Sequence, residues 1–237
     1  MIELPKTPQK PSADVSKILM LLYGAPKIGK STFCSRFENA FFLATEPGLN
    51  HLETFNVLCK SWSDILEVVE ALKADARFST IIIDTVDNFW FYCQEYVLQQ
   101  YKVNFIGDLS YGKGYAILQQ EFERTVKELQ SLGKGLVFVS HAHFDEIYLE
   151  TGEKVKMTLP TLPDRAHGII CSLVDVIGYA TKEVFVDSDG AIKQRRILCC
   201  SPSTLYEAGD RTRRLPEKMP FKYAIFKQNY QNIPAPF

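Results

Sequence analysis

Short continuous apolar runs alternate along this chain with stretches whose apolar residues recur at helical spacing. Ile18 to Tyr23 is a run of the first kind, Phe41 to Ala44 a second, and Asn56 to Cys59 a shorter third. Runs that are apolar on both sides of the pleat predict strands buried inside a parallel sheet. "STIIIDT" (79–85) is another such strand and ends in an acid, and "GLVFVSH" (135–141) and "SLVDVIGYA" (172–180) follow. Between them, Ile65, Val68, Val69 and Leu72 predict a helix over 64–73, with Ser63 or Asp64 as its N-cap. Trp90, Cys93, Val97 and Tyr101 do the same for 87–101, and Leu118, Phe122, Leu129 and Leu132 for 115–132. After residue 180 the pattern changes. "KEVFVDSDGAIKQRRILCC" alternates around Asp-Ser-Asp-Gly, which predicts a hairpin.

Strand and helix in alternation, then a hairpin, predict an α/β fold: a mainly parallel central sheet flanked by helices, with an antiparallel hairpin at its edge. Residues 1–16, proline-rich and polar, read as a flexible arm, residues 17–220 as the core, and 221–237 as a C-terminal tail. A net charge of −1 excludes a globally basic nucleic-acid binder and leaves only local patches for such contacts. The six cysteines include no C-x-x-C pair and most lie in apolar segments, so reduced thiols in a cytoplasmic protein are expected. The N-terminus lacks the apolar stretch of a signal peptide, and no apolar run is long enough to span a membrane.

One segment carries explicit chemistry. Gly24-Ala25-Pro26-Lys27-Ile28-Gly29-Lys30-Ser31, followed by Thr32, fits G-x-x-x-x-G-K-[ST] and lies between a buried strand and a helix-like segment. The glycines let backbone N–H groups turn inward around a phosphate, and the helix start adds its positive end. Lys30 reaches the β/γ-phosphates and the Ser31 hydroxyl ligates Mg²⁺, so the expected ligand is ATP with Mg²⁺. Asp84, at the end of Ile81–Ile83, suits the second Mg²⁺ contact; the plainer reading is a strand-end cap. Thr85 and Asp87 read as cap and turn residues. Glu46 follows the strand Phe41–Ala44, where an acid can orient or deprotonate an attacking water, although a surface glutamate is the default reading. His141 ends its strand at the carboxyl edge where ligands gather in such sheets.

Together, "FFLATEPGLN", "IIIDT" and "LVFVSH" placed after the Lys30-Ser31 loop resemble the RecA-type ATPase core, and most closely the phage-encoded single-strand annealing recombinases. "YGKGY" (111–115), the Ser140-His141 pair and "EAGDRTRRLP" (207–216) extend the likeness, which covers roughly residues 16–220. The resemblance implies a catalytic role for Glu46, a magnesium contact at Asp84 and a γ-phosphate sensor at His141, where the family usually has Gln. It also implies a homo-oligomer with nucleotide between subunits, and slow, DNA-stimulated ATP hydrolysis. Arg211 is the preferred cation reaching a neighbour's γ-phosphate; a solvated turn is the competing reading for Arg211, Arg213 and Arg214. Single-stranded DNA is the expected partner, with a single-strand DNA-binding protein as a further one. The chain lacks the added terminal domains of full recombinases, which favours annealing or an accessory role over autonomous strand exchange.

If the resemblance holds, two loops become candidate DNA contacts, 102–114 and 142–165. They mix Lys102, Phe105, Tyr111 and Lys113 with Phe144, Tyr148, Lys154, Lys156 and Arg165. The second also carries Asp145, Glu146, Glu150 and Glu153, and "ETGEK" reads equally as a hairpin turn. His141, His143, His167 and Cys171 invite a zinc reading, weakened by the long separation of the two pairs. "NIPAPF" lacks the acidic run of partner-binding tails. Competing functions are a nucleotide-dependent switch or scaffold, and a small-molecule P-loop kinase; the kinase would need an arginine-bearing lid that 142–165 does not resemble.

Overall fold

The computed structural model describes residues 4, 6–8, 11–109, 113–148 and 151–232. The predicted apolar runs form strands of one sheet; all are buried except the run expected at 56–59, which forms the exposed edge strand because among the described residues no further strand or helix covers it. Strands β1 (Leu19–Gly24), β2 (Ala40–Ala44), β3 (Phe55–Leu58), β4 (Thr80–Asp84), the first half of β5 (Gly135–Tyr148) and β7 (Val176–Val186) are mutually parallel, in the order β7-β1-β5-β4-β2-β3. Beyond β7, β8 (Ile192–Cys199) and β10 (Lys218–Pro220) continue the sheet antiparallel, as the Asp-Ser-Asp-Gly turn predicts. The short β9 (Gly209–Asp210) pairs with the start of β7.

Two apolar layers cover the sheet. On one side lie α2 (Trp62–Ala74), α3 (Val86–Tyr101), α4 (Lys113–Ser131) and α5 (Asp164–Leu173), packed on Leu21, Ile81, Ile83, Leu136 and Phe138. On the other lie α1 (Lys30–Cys34) and α6 (Tyr223–Gln231), packed on Met20, Leu22, Phe42, Ile82 and Val139. The alternation of these side chains along β1 and β4 shows why both strands must be apolar throughout: each serves two cores. Among the described residues no helix is long and apolar enough to cross a membrane, and all six cysteines are free.

Several sequence expectations need correction. The cap of α2 is Ser61, whose hydroxyl accepts from the Asp64 N–H at 3.2 Å while the Asp64 carboxylate accepts from the Lys60 N–H at 2.7 Å. The stretch 142–165 is not a loop. β5 runs on past the sheet to Tyr148 and pairs with β6 (Lys154–Pro160) as a projecting hairpin, and α5 begins at Asp164. The strand expected at 172–180 starts at Val176, because Ser172 and Leu173 still belong to α5. Residues 221–237 are not simply a tail: Phe226 and Tyr230 of α6 are buried, with the Phe226 ring edge-on to Phe33 of α1. The core therefore extends to Gln231. Val15 is buried too, and Arg214 donates to the Ser12 carbonyl, so the distal part of the expected arm is fixed to the body. Of the N-I-P-A-P-F segment only Asn232 is described.

Candidate functional site

Strands β1, β2 and β4 end at one edge of the sheet, where β5 leaves it, and three polar side chains gather there. β1 ends in Gly24, paired in register with His141 of β5. Asp84 ends β4, and Glu46 follows β2 by two residues. Glu46, Asp84 and His141 line a cleft of about 590 Å³ together with Pro26, Lys27 and the Lys30-Ser31 pair.

The loop conformation explains its glycines. A Cβ on Gly24 would stand 2.3 Å from the Ala180 carbonyl oxygen, and Gly29 has φ of 108°, a left-handed value that side chains oppose. Lys30 is buried, and its ammonium donates to the loop's own Gly24 and Ala25 carbonyls at 2.8 and 3.2 Å. Burial lowers the Lys30 pKa, and the neighbouring Asp84, Asp87 and Glu46 oppose that shift. The helix after the loop spans five residues. Its dipole is correspondingly small.

The Ser31 hydroxyl donates to the Asp84 carboxylate at 2.7 Å, which brings together the two expected magnesium contacts. Asp84 is buried and its pKa is raised by that burial, with the Ser31 hydrogen bond opposing. A desolvated carboxylate against a hydroxyl fits a small hard cation, because coordination replaces the lost water. Glu46 and His141 also meet, Oε1 to Nε2 at 3.2 Å. This contact holds the Glu46 carboxyl below the usual range and raises the His141 imidazolium above it. Two buried polar atoms beside them, Thr85 Oγ1 and His141 Nδ1, have no partner among the described residues. Such orphaned groups suit a site that receives a further polar ligand.

Sequence reasoning missed Asp87. It is no turn residue: it lies buried in the first turn of α3 and accepts from the Ser140 hydroxyl at 2.7 Å and the His141 N–H at 2.8 Å. It thereby fixes β5 at His141, where the strand leaves the sheet. Arg196 of β8 was missed as well. Its guanidinium donates to the Ile28 carbonyl at 3.1 Å, bracing the phosphate loop from outside, beside a second cleft lined by Thr32, Arg36, Phe221 and Tyr223. No local signal marks Arg196; only β7–β8 pairing brings it there.

Other expected residues lie elsewhere. Arg211 follows β9 at the opposite edge of the sheet, where its guanidinium meets Asp175 at 3.3 Å. It does not enter the phosphate site of its own chain. Arg214 is a fastening, bonded to the Ser12 and Tyr230 carbonyls. Arg165 is in α5, bonded to Gln119 and over the Tyr115 ring, and not in a DNA-facing loop. Lys113 opens α4, and Phe105, largely exposed, precedes it; Tyr111 and Glu150 lie outside the described residues. On the projecting hairpin, Phe144 and Tyr148 are exposed, Lys156 sits over the Phe144 ring at 4.5 Å, and Lys154 is paired with Glu146. The four residues that invite a zinc reading do not come together as one set: His141 is engaged by Glu46, while His167 and Cys171 converge with Glu207.

Fold and site together define a P-loop nucleotide-binding domain of the ATPase type. The AAA domain family matches residues 16–212, and the chain belongs to that family. It is also similar to the SPbeta prophage-derived uncharacterized protein YorG of Bacillus subtilis (strain 168), at 33% identity over 138 residues. That alignment covers 54% of this chain and 42% of the relative, so the chain matches less than half of the relative's length.

Proposed function

We propose that this chain hydrolyses ATP as its magnesium complex at the carboxyl edge of the sheet. The observation that carries the reading is the pairing of Glu46 with His141 on the same edge as Ser31 and Asp84. Ser31 and Asp84 would hold Mg²⁺, which when bound neutralises developing charge on the phosphate oxygens. The backbone of Gly24–Lys30 and the Lys30 ammonium bind the phosphates, and the ring-lined cleft beside Thr32 and Arg36 offers a surface for the base. Glu46 accepts the proton of a water as its oxygen bonds to the γ-phosphorus; the bond from γ-phosphorus to the β,γ-bridging oxygen breaks, and ADP leaves with that electron pair. Glu46 suits this role because His141 keeps it ionised. The residue after Asp84 is Thr85, so the acid comes from the neighbouring strand.

We further propose a RecA-type mode of use: copies assemble around nucleotide, bind single-stranded DNA and anneal it in a phage setting within the host cytoplasm. Arg211 would serve a neighbouring copy, and a single-strand DNA-binding protein would be an accessory partner. The prophage origin of the relative supports the setting. The continuity of β5 supports the coupling, since His141 lies three residues before exposed Phe144 on one strand. A second reading, a nucleotide switch with a protein partner, is favoured by the mixed charge of that hairpin, where Asp145 and Glu146 interrupt the cations.

The test is ATP turnover and single-strand DNA binding by fluorescence anisotropy, on wild type and Glu46→Gln. A general base contributes roughly 10²–10⁴-fold, so Glu46→Gln should lose turnover by that factor and keep ATP binding. Unchanged turnover removes Glu46 from the mechanism. DNA binding strengthened by ATP supports annealing; none at low salt, where phosphate contacts are strongest, leaves the switch.

A further inference from the structure

Away from the phosphate cleft, three side chains of different chemistry converge. His167 and Cys171 lie one helical turn apart on α5, and Glu207 faces them from the segment between β8 and β9. His167 Nε2 is 2.7 Å from Glu207 Oε2 and 3.4 Å from Cys171 Sγ, and Cys171 Sγ is 3.9 Å from Glu207 Oε1. The three are partly buried, with His167 and Glu207 side chains 32% and 22% exposed.

A Cys-His-Glu nucleophile would use the two ring nitrogens separately, one toward the thiol and one toward the acid. Here both partners face the same nitrogen, so the three groups cluster within reach of one ion. A tetrahedral zinc ion with N, O and S ligands at about 2.0–2.3 Å sets its ligands roughly 3.3–3.7 Å apart. The Sγ–Nε2 distance already lies close to this, while the 3.9 Å sulfur contact is to the other Glu207 oxygen, so the carboxylate must turn to present one oxygen to both partners. The His167–Glu207 contact needs to open by about 0.6 Å from its hydrogen-bonded value. Glu207 is held independently: its N–H donates to the Thr158 carbonyl, and its carbonyl accepts from the Tyr23 hydroxyl at 2.6 Å. The site is thus braced on one side by α5 and on the other by backbone pinned to β6 and β1. Thiolate, imidazole and carboxylate together favour a borderline-soft divalent ion over Mg²⁺ or Ca²⁺.

We propose that His167, Cys171 and Glu207 bind one zinc-class divalent ion, with a solvent molecule completing the tetrahedron. The ion clamps the β8–β9 segment to α5, independently of nucleotide at the phosphate loop. The test uses the full chain, stripped with chelator and titrated with Co²⁺ and then Zn²⁺. Expected is one Co²⁺ per chain, with intense visible bands of a tetrahedral site, a thiolate-to-cobalt charge-transfer band and displacement by Zn²⁺. Zinc should also raise the melting temperature of wild type. Cys171→Ser should abolish the charge-transfer band, and Cys171→Ser and His167→Gln should each weaken zinc by more than the ~10–100-fold typical of lost outer-shell partners. Cys59→Ser should change nothing in the cobalt spectrum. Substoichiometric metal, a cobalt spectrum without the thiolate band, or equal binding by Cys171→Ser would overturn the proposal. The wild-type spectrum decides even where a variant fails to fold.

Discussion

Asp87 offers a prediction that needs no assumption about substrate. Its carboxyl is buried, and that burial pushes its pKa from an ordinary 3.8 to about 6, against the opposing pull of Ser140 and the His141 N–H. Between these two values the folded chain binds more protons than the unfolded one, so this group makes stability fall as pH rises. With 1.36 kcal/mol per tenfold change in proton affinity, the full penalty at neutral pH is about 3 kcal/mol, of which about 2 kcal/mol develops between pH 4 and pH 7. Asp87→Asn keeps the shape and cannot ionise. Its amide can satisfy one of the two donors and confronts the other, a roughly pH-independent cost of about 1–3 kcal/mol. The assay is urea unfolding of both proteins at half-unit pH steps. The stability of wild type minus that of the variant should fall by about 2 kcal/mol from pH 4 to pH 7. A flat difference would show that Asp87 is not desolvated as its surroundings imply, and would refute the argument that it anchors β5 as a buried acceptor.

Further outcomes follow from other contacts. Removing His141 (His141→Ala) takes away the hydrogen bond that lowers the Glu46 pKa and leaves burial, which raises it; the acid limb of the kcat/KM profile should move to higher pH, and an unmoved limb rules out the pair. Phe226→Ala deletes a fully buried ring in contact with Phe33 and should cost about 3–5 kcal/mol in urea unfolding; a cost below 1 kcal/mol would mean α6 does not belong to the folded core. Arg211 faces away from its own phosphate loop, so Arg211→Ala and Glu46→Gln proteins, each slow alone, should regain turnover when mixed; no recovery would deny it a role in a neighbouring site.

Much of the phosphate site was legible because it is local in sequence. Gly24 through Ser31 are contiguous, and the loop's shape depends on glycine dihedrals and a single close approach to Ala180. The central strands were legible for a related reason: burial on both faces leaves an unbroken apolar run. Glu46, Asp84 and His141 could be placed at one edge because the apolar runs of parallel strands stop at the same level of the sheet. Side chains that depend on contacts between distant segments could not be read this way. Asp87 reads as a turn residue in the sequence because nothing nearby reveals that Ser140 and the His141 N–H need its carboxylate. Helix α6 lacked an apolar stripe long enough to stand out, yet two aromatic rings and a partner surface on α1 bury it. The extension of β5 beyond His141 was hidden by its change from apolar to polar residues, which marks departure from the core and not the end of the strand. Glu207 joins His167 and Cys171 only through the chain's path from β8 to β9. The sequence alone determined the loop chemistry and the layered sheet, since both follow from neighbouring residues. Only the tertiary structure decided which acids, arginines and sulfur share a site, because those distances are set by how the layers pack.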